Sequence, residues 1–135
     1  MEVTTYDFKI RGDERGSLIA IEEKTDIPFS LKRVYYIFDT QAGVTRGLHA
    51  HRTLRQVLVC VHGSCKVLLD DGMGKISVPM DSGSRGLLVD PMIWHEMYDF
   101  SQDCILLVLA SDIYDENDYI RDYPKFIELV NAQGK

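Results

Sequence analysis

The fold of this chain is decided by one stretch, Gly43-Val44-Thr45-Arg46-Gly47-Leu48-His49-Ala50-His51. In an extended chain, residues i and i+2 project to the same face, so His49 and His51 would share one side of a strand. On a barrel strand that side can be the interior, where two imidazoles are costly to bury unless they have partners or a chemical role. Because imidazoles titrate near neutral pH and suit proton transfer, the pair beside Arg46 predicts an active site.

Around this stretch, short runs rich in Val, Ile, Leu and Tyr are separated by clusters of Gly, Pro and Asp. This pattern is typical of an all-β sandwich or barrel. The segment Asp70-Asp71-Gly72 predicts a hairpin turn, since Asp-Gly tolerates positive φ. We expect strands at residues 17–22, 33–38, 56–61, 65–69, 75–79, 86–89, 94–98 and 104–110.

The C-terminal segment has a different pattern. Phe126, Ile127 and Val130 lie at near-helical spacing, and Pro124 suits the first turn of a helix. We therefore expect one short helix over residues 123–132. The sequence contains no internal repeat, low-complexity segment or linker, so residues 1–135 are predicted to form a single domain.

Composition excludes several classes of function. The net charge of −6 argues against a general nucleic-acid binder, which presents a basic face, although a local cationic pocket for a phosphate is compatible with it. The first ten residues have no apolar leader, and the longest apolar run, residues 104–110, is far too short to span a bilayer. Cys60, Cys65 and Cys104 lie in apolar, strand-like runs, which indicates buried free thiols in a reducing compartment. We expect a cytoplasmic protein that binds neither nucleic acid nor a membrane.

The histidine stretch resembles the first motif of the cupin superfamily, Gly-x5-His-x-His-x4-Glu-x6-Gly. Every spacing of that motif is kept by Gly43, His49, His51, Gln56 and Gly63. A degraded second cupin motif covers residues 91–99 and includes His95. The resemblance implies a cupin fold, which is a double-stranded β-helix or jelly-roll barrel, here with one short C-terminal helix.

One departure from the motif bears on the chemistry. Metal-binding cupins use the glutamate as a ligand, and this chain has Gln56 at that position. A neutral amide is a poorer ligand for a divalent cation than a carboxylate is. His95 also lies one residue closer to Pro91 than the metal-binding motif requires. We therefore expect function without a metal and without any other cofactor.

Two families of metal-free cupins resemble the chain. Arg46-Gly47-Leu48-His49 is similar to a segment of the nucleotide-sugar 3,5-epimerases, and residues 13–18 resemble their phosphate-contacting segment. Over nearly its whole length, the chain more closely resembles the dTDP-4-oxo-6-deoxyglucose 3,4-ketoisomerase family, also called WxcM-like. The matching segments are residues 13–18, 32–38, 46–51, 56–61, 63–72, 94–100, 110–112 and 119–123.

The resemblance implies an isomerase that moves a keto group from C4 to C3 of dTDP-4-oxo-6-deoxy-D-glucose through an enediolate. His49 is the expected base by its place in the Arg-Gly-Leu-His segment, and His51 would relay or return the proton. Tyr36 is expected as a hydrogen-bonding or acid partner. Tyr35 faces the other way on the same strand, and the sequence leaves open which of the two tyrosines points inward.

Further roles follow from the same resemblance. Arg15 and Arg46 are expected at the diphosphate, because arginine forms paired, charge-assisted hydrogen bonds with phosphate oxygens. His95 would line the cavity opposite the histidine pair and steer the face on which C4 is protonated. Arg15 together with His95 resembles the branch of the family that makes the galacto product, so we expect a dTDP-3-oxo-6-deoxyhexose of that series.

The resemblance also implies partners and a pathway. We expect a homodimer with exchanged N-terminal strands, formed by residues 3–10. The expected setting is deoxy- and amino-sugar biosynthesis for a lipopolysaccharide or S-layer glycan, with a PLP-dependent aminotransferase acting on the product.

Three other interpretations are open. A 3,5-epimerase would use the same base but leave the ketone at C4. A metal cupin, such as a dioxygenase, is opposed by Gln56. A non-catalytic sugar-binding cupin would bind the nucleotide sugar without turnover.

Overall fold

The computed structural model describes residues 1–133. In that part of the chain, twelve short strands precede one α-helix, α1, over Tyr123–Gln133. The strands are β1 (Thr5–Asp7), β2 (Arg11–Asp13), β3 (Gly16–Leu18), β4 (Arg33–Ile37), β5 (Arg46–His51), β6 (Gln56–His62), β7 (Cys65–Asp70), β8 (Lys75–Met80), β9 (Arg85–Val89), β10 (Trp94–Tyr98), β11 (Ile105–Ala110) and β12 (Tyr119–Ile120).

Ten of these strands form two five-stranded antiparallel sheets. The first sheet has the order β1-β9-β6-β11-β4, and the second has the order β12-β5-β10-β7-β8. From β4 to β12 the chain passes back and forth between the two sheets, except at the β7–β8 hairpin. Strands β2 and β3 form a separate hairpin. This topology is that of a jelly roll and confirms the predicted all-β cupin barrel with one short C-terminal helix.

Strand β6 shows where the core lies. Leu58 and Cys60 point between the two sheets and join the main apolar cluster. Val57 and Val59 point to the opposite face, where Phe8 and its neighbours cover them. Because both faces of β6 are buried, its sequence is a continuous apolar run instead of an alternating one.

The helix α1 covers the outer face of the second sheet. Phe126 is fully buried against Ala50 of β5 and Trp94 of β10. The Tyr123 hydroxyl donates a hydrogen bond of 2.6 Å to the buried carboxylate of Asp70. Because Ala50 is held under the helix, the residues on either side of it in β5 are directed into the barrel.

Most of the predicted elements are confirmed with bounds within one residue. The predicted strand over residues 17–22 is wrong in its extent, because β3 ends at Leu18. Ile19 and Ile21 instead pack their side chains against the apolar cluster that contains Phe8, and their backbone does not pair with another strand. Alternating burial of this kind produces the same two-residue period as a strand. No helix in residues 1–133 is long and apolar enough to cross a membrane.

Candidate active site

Three histidines meet inside the barrel. His49 and His51 of β5 point inward, and His95 of β10 lies directly opposite His49 in the ladder. The ring centroid of His49 lies 4.8 Å from that of His51 and 4.6 Å from that of His95. Their exposed fractions are 9% for His49 and 2% for each of the others. The structure therefore brings the three predicted histidines to one place.

A β-bulge sets the direction of His49. The register between β10 and β5 shifts here: His95 pairs with His49, Glu96 pairs with Gly47, and Leu48 is passed over. Gly47 and Leu48 have φ values of 85° and 59°. A Cβ on Gly47 would lie 2.9 Å from the carbonyl oxygen of His95, so this position requires glycine. The bulge leaves Leu48 exposed and turns His49 inward.

Backbone carbonyls select the tautomers of two of the rings. His49 Nδ1 lies 2.9 Å from the carbonyl oxygen of Gly47, and His95 Nδ1 lies 3.1 Å from that of Ile93. A carbonyl oxygen only accepts hydrogen bonds, so in both rings Nδ1 carries the hydrogen. Each neutral ring therefore presents a lone pair at Nε2, which is the form that a general base requires.

A carboxylate orients the third ring. Asp118, in the 3-10 turn before β12, places Oδ2 at 3.2 Å from His51 Nδ1. The same carboxylate accepts hydrogen bonds from the backbone N–H groups of Thr53 and Leu54 and from the Thr53 hydroxyl. Within residues 1–133, His51 Nε2 has no hydrogen-bond partner, so its lone pair is available. Asp118 was not predicted from the sequence, because no local spacing connects it with His51, 67 residues away.

All three rings are held in the uncharged state. Burial is the main cause that lowers the pKa of His49, and it lowers the pKa of His51 to about 4 and that of His95 to about 3. The neighbouring imidazole of His49 lowers the pKa values of His51 and His95 further. At neutral pH the three rings are therefore uncharged, and the ring nitrogens that carry no hydrogen keep their lone pairs.

An open pocket of about 360 Å³ adjoins His49. Its wall includes Arg33, Arg46 and Arg121. Arg121 is paired with Glu116 at 3.0 Å, so Arg33 and Arg46 make the wall locally cationic although the chain is acidic overall. The guanidinium of Arg121 lies 4.2 Å from the ring centroid of Tyr119, and that ring lies 4.8 Å from His49. Only Arg46 of these three arginines was predicted, since the others come from β4 and from the segment after β12.

Of the two tyrosines on β4, the structure places Tyr35 in the pocket. The Tyr35 hydroxyl accepts a hydrogen bond of 3.0 Å from Gln56 Nε2, and burial raises the pKa of Tyr35, so the phenol keeps its proton. Tyr36 is 59% exposed and packs beside Phe38 on the outer face of the sheet. The prediction of Tyr36 as a pocket residue is therefore corrected to Tyr35, because the inward face of β4 is decided by its register with β11.

Arg15 lies apart from the histidines within its own chain. It sits in the turn of the β2–β3 hairpin, its side chain is 86% exposed, and its guanidinium pairs with Asp13 at 2.6 Å. It does not line the pocket that contains His49 and Arg46. Of the two arginines predicted at the diphosphate, the structure thus brings only Arg46 to the site.

The histidine cluster also has the composition of a metal site. One ring nitrogen from each of His49, His51 and His95 lies within 4.8 Å of the others, so these three residues could hold a metal ion. The position of the fourth cupin ligand is Gln56, whose amide nitrogen is engaged by Tyr35. It offers a neutral amide oxygen in place of the carboxylate that hard divalent cations prefer.

Comparison with known proteins gives a consistent family. A family model described as FdtA: WxcM-like, C-terminal matches residues 1–131. The TDP-4-oxo-6-deoxy-alpha-D-glucose-3,4-oxoisomerase of Aneurinibacillus thermoaerophilus is 59% identical over 130 residues, which are 96% of this chain and 94% of that protein.

Solved structures agree with this match. A 3,4-ketoisomerase from Helicobacter canadensis has a TM-score of 0.94 and 46% identity, over 97% of this chain and 98% of that one. QdtA, a sugar 3,4-ketoisomerase from Thermoanaerobacterium thermosaccharolyticum in complex with TDP, has a TM-score of 0.94 and 44% identity, over 97% and 96%. A QdtA double mutant, with one tyrosine changed to arginine and one arginine changed to histidine, is 46% identical over 97% and 95%. The length and identity of these matches show that the chain belongs to the FdtA family of WxcM-like proteins.

Proposed function

We propose that this chain is a metal-independent 3,4-ketoisomerase that converts dTDP-4-oxo-6-deoxy-D-glucose into a dTDP-3-oxo-6-deoxyhexose. One observation carries the proposal: neutral His49 lines the same pocket as three arginines. Because its Nδ1 carries the hydrogen that is bonded to the Gly47 carbonyl, the lone pair of its Nε2 is free. The relatives support the substrate, since the curated relative is named for this reaction. A histidine-to-asparagine variant of QdtA was also crystallised with TDP-4-keto-6-deoxyglucose.

The chemistry needs a base, an acid and a group that holds charge on oxygen. The C4 ketone acidifies the hydrogen on C3, and a base removes it to form an enediolate across C3 and C4. A proton then returns to C4, and the proton of the C3 hydroxyl is transferred to the oxygen on C4, so that the new ketone forms at C3 and C4 carries a hydroxyl. The numbers of atoms, electrons and protons are unchanged overall, so no redox partner is consumed.

The geometry suggests which residue performs each step. His49 removes the C3 proton through Nε2, and His51, whose ring centroid is 4.8 Å away, relays the proton and returns it. Asp118 stabilises the protonated form of His51, because it is the acceptor at Nδ1. Tyr35 keeps its proton and donates a hydrogen bond to the oxygen that gains charge in the enediolate.

The arginines suit the diphosphate of the substrate. Arg33, Arg46 and Arg121 share the pocket wall with His49. A guanidinium gives phosphate two parallel, charge-assisted hydrogen bonds, so a cationic wall next to the base holds the sugar within reach of it.

Metal independence rests on the donor set. The carboxylate of the cupin metal motif is replaced by Gln56, which is committed to a hydrogen bond with Tyr35. We expect full activity after dialysis against EDTA and a metal content far below one ion per chain.

We also assign the enzyme a homodimeric state, in which Arg15 reaches the pocket of the partner. Arg15 projects from an exposed hairpin away from its own histidines. Beside that hairpin runs an apolar groove of about 450 Å³, lined by Leu18, Ile21, Val61 and their neighbours. The edge strand β1 pairs with β9 of its own chain here, and a second copy can offer the identical strand to the same edge.

Mixing two inactive variants tests this arrangement. Arg15→Ala and His49→Asn are unfolded together and refolded, so that mixed dimers form. If Arg15 acts across the dimer, one site in each mixed dimer is intact, and the mixture should recover roughly a quarter of the wild-type turnover. Recovery of no activity, with dimers present by light scattering, would mean that Arg15 does not act in trans.

The galacto series is the proposed product. It rests on Arg15 and His95, and on the position of His95 directly opposite the base His49. The QdtA double mutant supports the idea that this chain carries the exchanged residue types, since introducing one arginine and one histidine raises its identity to this chain from 44% to 46%. The coupling constant of the proton at C4 distinguishes the galacto from the gluco product.

The central test is proton exchange followed by NMR. Purified protein is incubated with dTDP-4-oxo-6-deoxyglucose in D₂O with EDTA, and the sugar protons are recorded with time. Deuterium at C4 with the ketone at C3 supports the proposal. Deuterium at C3 and C5 with the ketone still at C4 would make the protein an epimerase. Binding without exchange would make it a non-catalytic cupin.

Two variants of matched chemistry complete the test. His49→Asn should abolish exchange while the affinity for TDP is kept, because the arginines of the pocket wall, and not His49, are the residues proposed to contact the diphosphate. His62→Asn replaces an exposed histidine at the far end of β6 and should leave the rate unchanged.

The remaining assignments concern the setting. The free state of all three cysteines fits the cytoplasm as the compartment. A 3-keto sugar is the substrate type that a PLP-dependent aminotransferase converts into a 3-amino sugar, so such an enzyme is the proposed next step towards a surface glycan.

A further inference from the structure

The three cysteines of the chain form a second cluster of reactive groups. Cys60 lies on β6, Cys65 begins β7, and Cys104 directly precedes β11, so the first and third belong to one sheet and the second to the other. Each is at most 2% exposed. The sulfur atoms of Cys60 and Cys104 are 3.7 Å apart, and all three sulfurs lie within 4.8 Å of one another.

This spacing matches a three-coordinate centre. A trigonal centre with bonds of about 2.3 Å to sulfur separates its sulfurs by about 4.0 Å, and a pyramidal centre separates them by somewhat less. The three thiols therefore need only small side-chain movements to bind one atom together. Two of them alone are too far apart for a disulfide without a shift, since a disulfide bond is about 2.0 Å long.

The cluster is separate from the histidine site. Cys60 follows Gln56 by four residues on β6, which is about 13 Å along a strand. Both side chains point into the barrel, with Leu58 between them in the main apolar cluster. A ligand held by the thiols would therefore not touch the residues proposed to bind the sugar.

The surroundings select the charge of the ligand. The thiols belong to an apolar cluster with side chains such as Leu106, Met80 and Ile37, and Cys60 Sγ contacts the uncharged backbone carbonyls of His62 and Gly63. Three thiolates around a monovalent or divalent cation would leave a net negative charge in this core, which is costly without a counterion. Three thiolates around a trivalent centre leave no net charge.

We propose that Cys60, Cys65 and Cys104 form a trithiol site that binds a trivalent thiophilic metalloid, of which arsenous acid is the simplest source. Three As–S bonds form and three As–O bonds break. Each thiol proton combines with a departing hydroxide, so three waters leave. Arsenic stays trivalent and sulfur is not oxidised, so the step needs no oxidant or reductant.

A surface turn provides the way in. Gly63 packs against Cys104 so closely that a Cβ would lie 2.8 Å from the Cα of that cysteine. The turn is closed by hydrogen bonds that include Ser101 N to Ser64 O, Ser64 N to Ser101 Oγ and Cys104 N to Ser101 O. Local opening of such a turn exposes the sulfurs without global unfolding.

The thiols differ in readiness to react. The contact with the Cys65 thiol is the main cause that lowers the pKa of Cys60, and the same contact raises the pKa of Cys65. The Cys60 sulfur also lies 3.3 Å from the carbonyl oxygen of His62 at the turn. Cys60 is thus the first nucleophile for an incoming arsenic atom.

The test uses the whole folded enzyme with sodium arsenite as the probe. Native mass spectrometry is expected to show one arsenic atom per chain with the loss of three hydrogens, and protection of all three thiols from a thiol reagent. The same chain unfolded in urea should bind at least tenfold more weakly, because the thiols are then no longer held together.

A matched variant checks the three-thiol geometry. Cys65→Ala should lower the arsenite affinity at least tenfold, while the fluorescence of Trp94 shows that the fold is kept. The proposal is overturned if the folded wild-type chain takes up no arsenic, or if Cys65→Ala binds as tightly as the wild type. It is equally overturned if zinc or cadmium displaces arsenic at equal concentration, since the charge argument would then be wrong.

Discussion

Acidification should destabilise this protein because two of its histidines are buried without charge. Burial is the main cause that lowers the pKa of His51 from 6.5 to about 4 and that of His95 from 6.5 to about 3. Above pH 6.5 both rings are neutral in the folded and the unfolded chain, so stability is unaffected there. Below it, the unfolded chain binds protons on both rings that the folded chain does not. Stability is therefore lost as the pH falls from about 6.5 towards 4.

The magnitude follows from the number of protons. Each additional proton bound by the unfolded chain lowers the free energy of unfolding by about 1.4 kcal/mol per pH unit. The two histidines together give about 2.7 kcal/mol per unit, or about 5 kcal/mol over two units. Since the free energy of unfolding of a domain is typically only about 5–15 kcal/mol, this loss would remove a large part or all of the stability.

Urea unfolding measures this loss directly. Trp94 is the single tryptophan and is buried, so its fluorescence follows the transition. His95→Gln should lower the slope of stability against pH by about 1.4 kcal/mol per unit between about 6.5 and 4.5, because the unfolded chain then binds one proton fewer. His62→Gln, at an exposed position beside Asp103, should change the slope less than His95→Gln does. A wild-type stability that stays constant down to about pH 5, or an unchanged slope in His95→Gln, would refute the reasoning.

Four further outcomes are expected. Asp118→Asn should lower kcat about 10²–10⁴-fold at similar KM, because the amide favours the wrong tautomer of His51; unchanged kcat in the NMR assay would contradict the orienting role. Tyr35→Phe should lower kcat by about tenfold or more with the same thermal midpoint, and an effect on KM alone would assign the hydroxyl to binding only. Gln56→Glu should raise the affinity for Mn²⁺ at least tenfold by calorimetry, and no increase would show that the amide is not what disfavours a metal. Gly47→Ala should cost about 1–3 kcal/mol in urea unfolding, since this position combines positive φ with a 2.9 Å contact; a smaller cost would mean that the bulge relaxes easily.

The barrel could be predicted well because its signals are local. Runs of β-branched residues, the Asp70-Asp71-Gly72 turn and the spacing from Gly43 to Gly63 lie within short windows of the chain. The structure confirms the hairpin, with Gly72 at φ 89° and its N–H bonded to Asp70. The strand predicted over residues 17–22 was wrong for the same reason. A two-residue period of apolar residues shows which side chains are buried, but it does not show whether the backbone pairs with another strand.

The site was only partly predictable. His49 and His51 are two residues apart on one strand, so their common face follows from strand geometry alone. His95 entered through a motif and not through geometry. Tyr36 was expected in place of Tyr35, because the inward parity of β4 depends on its pairing with β11 and not on its own residues.

By itself, the sequence determined the fold class, the family and the pair of histidines, since each depends on spacing within a few residues. Only the tertiary structure decided what surrounds them. Asp118 reaches His51 from 67 residues away, and Arg121 enters the pocket from the segment beyond β12. The same holds for the cysteine cluster, whose members come from both sheets. Contacts of this kind depend on strand order and register, which arise from the packing of the whole barrel and leave no trace in any local stretch of sequence.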